Sequence, residues 1–209
     1  MGRWAPGARG RLEYAALELY SERGFENTTV TEIAERAGLS ERTFFRYFAD
    51  KREVLFWGSQ ALQEFLARSV EEAPATASPL AAVTGALEKA ASEIFEERRE
   101  LLWRRQKIIS ANPELQEREL IKLAALAKSI TAALRRRGVQ ELPSSLAAEA
   151  GIAAFKVAFA AWAQGEGRSL AQVVRAAVEE LERVAAQGAG APDPAQSLAG
   201  AGGADGVGG

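Results

Sequence analysis

The sequence predicts an all-α fold, and three observations carry that prediction. Alanine, leucine, glutamate and arginine dominate the chain, and all four have high helix propensity. Clusters of β-branched and aromatic residues, which are typical of strands, are missing from the sequence. Signals that begin a helix recur along the chain, as where Asn112 precedes Pro113. Hydrophobic residues make up 47% of the chain and charged residues 26%, which is the balance of a soluble globular protein.

The N-terminal segment predicts helices joined by tight turns. A first helix is expected from about Arg9 to Arg23. Thr29 and Glu32 form a capping-box pattern, in which each side chain satisfies a backbone amide at the start of a second helix. Gly38 then marks the end of that helix, where left-handed backbone is common and glycine adopts it at little cost.

A third helix is predicted directly after this turn. Ser40 is a suitable N-cap, and Phe44 and Phe48 lie one turn apart on the face expected to be buried. The other faces present hydrogen-bond donors and aromatic rings, a set suited to base edges and phosphates in a DNA groove. These side chains are Arg42, Thr43, Phe45, Arg46 and Tyr47. On the pattern alone, an ordinary corner of a helical bundle is the alternative.

The first 57 or so residues resemble the DNA-binding domain of TetR/AcrR-family transcriptional regulators. The matching stretches are Ala15–Tyr20, Arg23–Phe25, Thr28–Val30, Ile33–Ser40, Thr43–Phe48 and Asp50–Leu55. The resemblance implies an N-terminal three-helix helix-turn-helix DNA-binding domain joined by a long fourth helix to an α-helical ligand-binding and dimerisation domain. The segment 103–123 also resembles a subgroup of actinobacterial regulators, including those near mycofactocin clusters.

Carried over residue by residue, the resemblance implies DNA contacts at nine positions. These are Thr28, Thr29, Ser40, Arg42, Thr43, Phe45, Arg46, Tyr47 and Lys51. Arg42 and Thr43 come early on the third helix and are best placed for base edges, with Arg42 able to bind a guanine in bidentate fashion. Tyr47, Lys51 and the region of Thr29 are better placed for phosphates. Many relatives have tyrosine where this chain has Phe45, so one possible phosphate hydrogen bond is lost here.

Composition argues against most enzyme classes. The chain has no cysteine and no histidine, which removes disulfides, thiol chemistry, the usual general base and the commonest metal ligand. The remaining carboxylates and hydroxyls have no evident base to activate them, so we expect no catalytic residues, no metal and no cofactor. The N-terminus lacks the apolar core of a signal peptide, and no apolar run reaches the ~20 residues of a membrane span. We therefore expect a cytoplasmic protein that does not enter a membrane.

The charge balance is unusual for a DNA-binding protein. The net charge is −2, and residues 1–57 carry nine basic and nine acidic side chains. DNA binding must therefore depend on where the basic groups point rather than on bulk charge. Arg42, Arg46 and Lys51 cluster at the third helix and just after it. Glu41 lies on the same helix and would repel phosphate unless it faces away or accepts from a cytosine amino group.

The C-terminal part of the chain predicts further helices. Residues 50–53 form another capping-box pattern, and we expect the fourth helix to run from there as one rigid helix to about Glu72. A fifth helix is predicted from Pro79, with a break near 96–99 before a short sixth helix. A seventh begins at Pro113.

The eighth and ninth helices are predicted from Pro143 and after Ser169. Segment 146–162 is nearly uncharged, and a helix that is apolar on more than one face needs a second burial partner. In the family that the chain resembles, these two helices pair with their symmetry mates, so the resemblance implies a homodimer. Gly151 is expected to allow close approach in that seam. The alternative is a central helix buried within one monomer.

We expect three regions along the chain. Residues 1–50 form the helix-turn-helix DNA-binding domain, and 51–187 form a regulatory ligand-binding and dimerisation domain. Residues 188–209 hold eight glycines and six alanines, too little apolar surface to offset the entropy of ordering, so they are expected to be a disordered tail. Residues 1–8 are expected to be similar, although Arg3 is able to reach the minor groove or a phosphate.

The regulatory domain is expected to hold a small-molecule effector. The resemblance implies a cavity among the fourth to eighth helices, and the apolar side chains of this region are candidates to line it. The candidate ligand contacts are Phe65, Phe95, Trp103, Leu123, Phe155, Phe159 and Trp162. Ordinary core packing is the alternative for each of them. Without histidine or cysteine, an apolar or amphipathic ligand is favoured, and Arg104, Arg105 and Lys107 are candidates for an anionic head group or, alternatively, solvated surface.

Together these observations predict a homodimeric DNA-binding transcriptional regulator. We expect a repressor that a small apolar or amphipathic ligand releases from an inverted-repeat, palindromic operator in double-stranded DNA. The alternative is a regulator of the same fold with no small-molecule inducer, controlled by a protein partner or constitutive. A helical interaction module with a degenerate helix-turn-helix is a third reading, which the intact Ser40, Arg42 and Tyr47 disfavour.

Overall fold

A computed structural model of the chain describes residues 7–164 and 167–189. This part of the chain is helical and contains no β-strand, so the predicted all-α fold is confirmed. The helices are α1 (Ala8–Arg23), α2 (Val30–Arg36), α3 (Glu41–Tyr47), α4 (Ser59–Glu71), α5 (Pro79–Ala90), α6 (Arg99–Ser110), α7 (Pro113–Arg136), α8 (Glu141–Gln164) and α9 (Leu170–Ala189). Helix α8 begins two residues earlier than predicted from Pro143. The predicted disordered tail lies, from residue 190 onward, outside the described residues, as does the predicted minor-groove contact of Arg3.

The three N-terminal helices form a compact unit, called the head here, because local signals fix their ends and apolar faces meet at the centre. The capping box is confirmed: the Thr29 hydroxyl accepts from the Glu32 amide, and the Glu32 carboxylate accepts from the Thr29 amide. Gly38 has a φ of 66°, in the left-handed region where a side chain would be strained. Phe44 is fully buried and Phe48 nearly so, as predicted.

The expected continuous fourth helix is wrong. A single 3₁₀ turn, Glu53–Leu55, follows α3, and α4 begins only at Ser59. Residues 50–58 are therefore a bent connection, called the junction segment here. The Asp50 carboxylate does accept from the amides of Arg52 and Glu53, which forms half of the predicted capping box.

The other half fails because the Glu53 carboxylate turns away from the segment. It accepts from Arg118 Nε at 2.8 Å and from Lys122 Nζ at 3.3 Å, both on α7. Burial of Val54 and Phe56 draws the backbone into the core at the same place, and Gly58 has low helix propensity. Tertiary contacts therefore override the local helix signal.

Helices α4 to α9 form the regulatory part, with a core of small and branched apolar side chains at the centre of the bundle. Helix α4 packs mainly on α7 and α5, while α8 packs on α5, α7 and α9. Between α5 and α6 the chain passes through a π-helical turn, Ala91–Phe95, and a 3₁₀ turn, Glu96–Arg98, where a break was predicted. Such π turns are frequent at functional sites.

Helix α8 is long and apolar enough to cross a membrane, judged by length and composition only. The sequence contains no uninterrupted apolar run of that length. Half of the apolar stretch of α8, 50%, is buried inside the protein, which is the behaviour of a core helix. Gly151 also faces inward, contrary to its expected place in a dimer seam. A Cβ atom built there would lie 2.4 Å from Cγ1 of Val83, so glycine permits the close approach of α8 to α5.

Candidate DNA interface and ligand cavity

The outer face of α3 exposes basic and aromatic side chains. Arg42 is exposed, and no hydrogen bond or ion pair engages it within the described residues. Phe45 is 54% exposed although it is a large apolar side chain. Arg46 is exposed as well, with its guanidinium 4.9 Å from the centre of the Tyr47 ring and 3.3 Å from the Tyr47 hydroxyl. Arg42, Phe45 and Arg46 are therefore exposed hydrogen-bond donors and an exposed ring on the outer side of α3.

A side-chain hydrogen bond joins the N-terminal ends of α2 and α3. The Ser40 hydroxyl accepts from the Thr43 amide and lies 3.0 Å from the Thr43 hydroxyl. The Thr31 hydroxyl donates to the carboxylate of Glu41, so this acidic side chain is engaged with α2. That contact holds the negative charge of Glu41 at the base of α3, where it stabilises the helix N-terminus.

Two of the nine residues predicted to contact DNA are instead hydrogen-bonded within the protein. Thr28 is 1% exposed, and its hydroxyl donates to the Gly24 carbonyl at 2.9 Å. Lys51 donates from its ammonium to the carbonyls of Phe25 at 2.9 Å and Thr28 at 3.0 Å, and it lies 4.4 Å from the centre of the Phe25 ring. In this conformation Lys51 holds the turn before α2 rather than reaching outward. The exposed Thr29 stands at the edge of the same turn.

Tyr20 and Asp50 reinforce this region from inside. The Tyr20 hydroxyl donates to the Lys51 carbonyl at 2.7 Å. Burial, with a smaller contribution from the nearby Asp50 charge, raises the pKa of Tyr20 well above its usual range, so the donor stays protonated. Partial burial would raise the pKa of Asp50, but hydrogen bonds from Arg52 and from the backbone outweigh that effect and the pKa is lowered.

A partly open cavity of about 360 Å³ lies where the head meets the regulatory part. Its volume falls in the ~300–1,000 Å³ range of small-molecule sites. Three phenylalanines form one wall, with ring centres 5.6 Å apart for Phe95 and Phe155 and 5.8 Å apart for Phe155 and Phe159. Leu55 and Trp57 of the junction segment complete the apolar lining toward the head. The cavity therefore touches both functional parts of the chain.

The structure brings together four of the seven predicted ligand contacts and separates the other three. Phe95, Leu123, Phe155 and Phe159 line the cavity. Trp162 is 1% exposed and packs behind Phe159, with ring centres 5.7 Å apart.

The two remaining candidates lie elsewhere. Phe65 packs against the core of the regulatory part and does not line the cavity. Trp103 lies in a separate surface groove beside the end of α1, where the Lys107 ammonium is 3.5 Å from the centre of its ring. Arg104 lines that groove too.

Sequence reasoning missed most of the polar lining of the cavity. Of the three cations considered for a head group, only Arg105 lines it; Arg98, Lys122 and Lys156 were not predicted. Arg105 Nε donates to the Leu55 carbonyl at 2.6 Å, and Nη1 lies 3.2 Å from Glu119. Burial lowers the pKa of Arg105, while the charge of Glu119 acts in the opposite direction. The basic run Arg104–Arg105 was the available signal, but only the fold shows which of the two turns inward.

Helix α8 presents an apolar outer face. Leu142 is 69% exposed, Leu146 61% and Val157 67%, and these positions recur on one side of the helix. Ala161 is exposed on the same helix, whereas Ala158 is 1% exposed and points into the monomer core. Large apolar side chains exposed on one side of a helix are typical of an interface.

A helix-turn-helix with an exposed basic face, joined to a second, larger helical bundle, defines the class of helical transcriptional regulators. Residues 14–56 match the family model "Bacterial regulatory proteins, tetR family", and residues 77–186 match the MftR C-terminal domain. The chain belongs to the TetR family of bacterial transcriptional regulators. The predicted family resemblance is therefore confirmed, including its actinobacterial character.

Curated relatives match over part of their length. TcmR of Streptomyces glaucescens is 44% identical over 78 residues, which cover 37% of this chain and 34% of that protein. MftR of Mycobacterium tuberculosis is 44% identical over 43 residues, 21% of each chain. The repressor KstR2 of Mycobacterium tuberculosis is 35% identical over 81 residues, covering 37% of this chain and 39% of that protein. These matches span only about a fifth to two fifths of the relatives' own length.

Solved structures match over most of the chain. FadR of Thermus thermophilus, a repressor in complex with lauroyl-CoA, is 27% identical with a TM-score of 0.52, covering 82% of this chain and 91% of that one. The SmeT–triclosan complex is 20% identical with a TM-score of 0.60, covering 84% and 90%. At that identity, the likeness to SmeT concerns the fold alone.

Proposed function

We propose that this protein is a homodimeric repressor that a small apolar or amphipathic ligand releases from an inverted-repeat operator. The observation that carries the proposal is the position of the cavity. Its lining includes Glu13 of α1 and Trp57 of the junction segment, so a ligand there touches the part of the chain that bears α3. FadR, with 27% identity, binds lauroyl-CoA, which has the amphipathic character that we propose for this ligand.

The proposed DNA contacts divide by position. Arg42, Thr43 and Phe45 would approach base edges, with Arg42 the main direct reader. Thr29, Ser40, Arg46 and Tyr47 would contact phosphates and fix the register. Thr28 and Lys51 would support the turn before α2. Division into a DNA-binding domain over 1–50 and a regulatory domain over 51–187 fits this assignment and remains a proposal.

Dimer formation would use the outer faces of α8 and α9. Leu142, Leu146 and Val157 form an exposed apolar row on α8, and Val184 is 58% exposed on α9. Two-fold symmetry would place the two copies of α3 on half-sites one helical turn apart, ~34–36 Å, or a multiple of it. A cytoplasmic location without catalytic activity completes the proposal.

The dimer is tested by two alanines on opposite sides of α8. Ala161→Arg places a charge on the outer face and is expected to give folded monomers in analytical ultracentrifugation. Ala158→Arg buries a charge and is expected to prevent folding, seen as lost helical circular dichroism. If Ala161→Arg stays dimeric at micromolar concentration, the α8 outer face is not the interface.

Ligand control is tested by operator binding across a panel of apolar and amphipathic compounds. Phe155→Ala, in the cavity wall, should reduce ligand response more than it reduces DNA affinity. Trp103→Ala is the matched control, because its groove lies outside the cavity. The operator comes from footprinting of the gene's own upstream region. If no compound shifts operator binding, the reading of a same-fold regulator without a small-molecule inducer takes its place.

A further inference from the structure

The lining of the cavity carries more positive than negative side chains. The cations are Arg98, Arg105, Lys122 and Lys156, and the carboxylates are Glu13 and Glu119. Lys156 has no carboxylate partner within the described residues. Because the walls are largely apolar, a charge in this cavity is screened less than it would be in water. The local balance therefore favours an anion.

Two of these cations are held by carboxylates from outside the regulatory bundle. Arg98 Nη2 lies 2.8 Å from Glu13 of α1, which is a residue of the head. Lys122 Nζ lies 3.3 Å from Glu53 of the junction segment. Glu13 and Glu53 are largely buried, with 13% and 21% of their side chains exposed. These two contacts, called the bridging ion pairs here, tie the cavity wall to the DNA-binding part.

Arg105 differs from Arg98 and Lys122 in its charge partner. Its ion pair with Glu119 stays within the regulatory bundle, at 3.2 Å. Its contacts with the junction segment are with neutral groups, the Leu55 carbonyl and the Phe56 ring, whose centre lies 5.0 Å from the guanidinium. An anion at Arg105 would therefore leave the two bridging ion pairs intact.

We infer that the cavity takes a ligand with an apolar body and one anionic group, and that this group replaces the carboxylates of Glu13 and Glu53 on Arg98 and Lys122. The inference rests on the proposed function, because it names the ligand chemistry of that cavity. The phenylalanine wall accommodates the apolar body. A carboxylate and a phosphate share the chemistry needed at the cations, since both accept charge-assisted hydrogen bonds.

This exchange gives ligand binding a direct effect on the head. Once the ligand anion occupies Arg98 and Lys122, α1 and the junction segment lose the two bridging ion pairs. The junction segment keeps the pairs of Glu53 with Arg118 and of Arg52 with Glu114. The position of α1 and the junction segment relative to the bundle is then less restrained, and with it the position of α3. By linkage, Glu13 and Glu53 act as internal competitors, so their removal should tighten anion binding.

The first experiment measures ligand binding to the full chain without DNA, by calorimetry. The probes are dodecanoate, dodecyl phosphate and dodecan-1-ol, which share an apolar chain and differ in head group. At least one of the two anions should bind about tenfold or more tightly than the alcohol, as expected for a charge-assisted hydrogen bond. Comparison of the two anions distinguishes a carboxylate site from a phosphate site. Equal binding of the alcohol, or binding of none of the three, overturns the inference.

The second experiment tests the exchange with paired variants, each checked for folding by circular dichroism. Lys122→Met should weaken binding of the anion about tenfold and leave the alcohol unaffected. Lys128→Met, exposed on the same helix, is the control. Glu53→Gln and Glu13→Gln should each tighten anion binding several-fold, whereas Glu114→Gln, whose partner Arg52 lies outside the cavity, should not. Unchanged or weaker anion binding in both glutamine variants contradicts the exchange.

Operator binding separates this inference from the proposed function. If the anion binds as expected but does not change operator affinity, the proposed release of the operator by a ligand is wrong, and the inferred anion site is supported. If the alcohol releases the operator as well as the anions do, ligand control stands and the anion inference fails.

Discussion

The head and the regulatory bundle differ in how they pack beneath and around their charged side chains. In the head, ion pairs such as Arg36 with Glu22 and Arg23 with Glu32 lie on the surface, over a filled apolar core. In the bundle, Arg105 and Glu119 turn inward around a cavity of about 360 Å³. The head thus gains rigidity from continuous packing, whereas the bundle gives up packing to form a cavity, the proposed ligand site.

The sharpest test of this contrast compares a phenylalanine from each part. Phe44→Ala removes a fully buried ring from the head and should lower the free energy of unfolding by about 3–5 kcal/mol. Phe159→Ala should lower it by less, because that ring already borders empty space. Chemical denaturation followed by circular dichroism gives both values. Equal losses would mean that the bundle is as tightly packed at the cavity as the head is at its centre.

Lys51 tests whether a cation of the junction segment can be structural rather than a DNA contact. Lys51→Ala removes charge-assisted hydrogen bonds to the carbonyls of Phe25 and Thr28, so the free energy of unfolding should fall by about 1–3 kcal/mol. Arg46→Ala, on the exposed face of α3, serves as the control and should leave stability nearly unchanged. The alternative result is a Lys51→Ala protein of normal stability whose DNA affinity depends less steeply on salt, with a slope lower by about one. That result would mean that Lys51 contacts a phosphate.

Arg42 tests the opposite case, a head cation with no structural duty. Arg42→Ala should weaken operator binding by about 1–3 kcal/mol and relax preference at one base pair per half-site. Its free energy of unfolding should match that of the unmodified protein, because no described contact is lost. Binding to an operator series with single substitutions measures both effects. Unaltered affinity and specificity would exclude direct readout by Arg42.

Acid sensitivity gives the smallest expected difference between the two parts. The carboxyl groups with a lowered pKa in the described chain, Glu22, Glu32 and Asp50, all belong to the head or its junction. For a lowered pKa, the stabilisation is present above the unfolded value, about 4, and is lost as the pH falls through the lower folded value. The head should therefore lose stability first below about pH 4. Asp50→Asn should flatten this dependence in denaturation curves at several pH values, and an unaltered slope would argue against the Asp50 hydrogen bonds as its cause.

The features that could be predicted from the sequence depend on contacts between residues close to each other along the chain. The Thr29 capping box and the Gly38 turn were predictable because their partners lie within a few residues. The path of the junction segment was not, because Glu53 is drawn away from a local cap by Arg118, 65 positions along the chain. Likewise, four phenylalanine or leucine candidates for the cavity were apparent from apolar patterning, whereas its cations looked like solvated surface. Only the packing of distant helices shows that Arg98 and Lys122 turn inward.

Trp57 is a natural fluorescent probe in this protein. The chain has four tryptophans, and this one borders the cavity on one side. On its other side its ring lies 5.2 Å from the guanidinium of Arg9, which is in turn 5.4 Å from the centre of the Tyr47 ring on α3. Indole emission responds to nearby charge and to solvent. A natural fluorophore therefore stands between the cavity and α3, where the proposed ligand binding and the proposed DNA binding should both change its emission without any label.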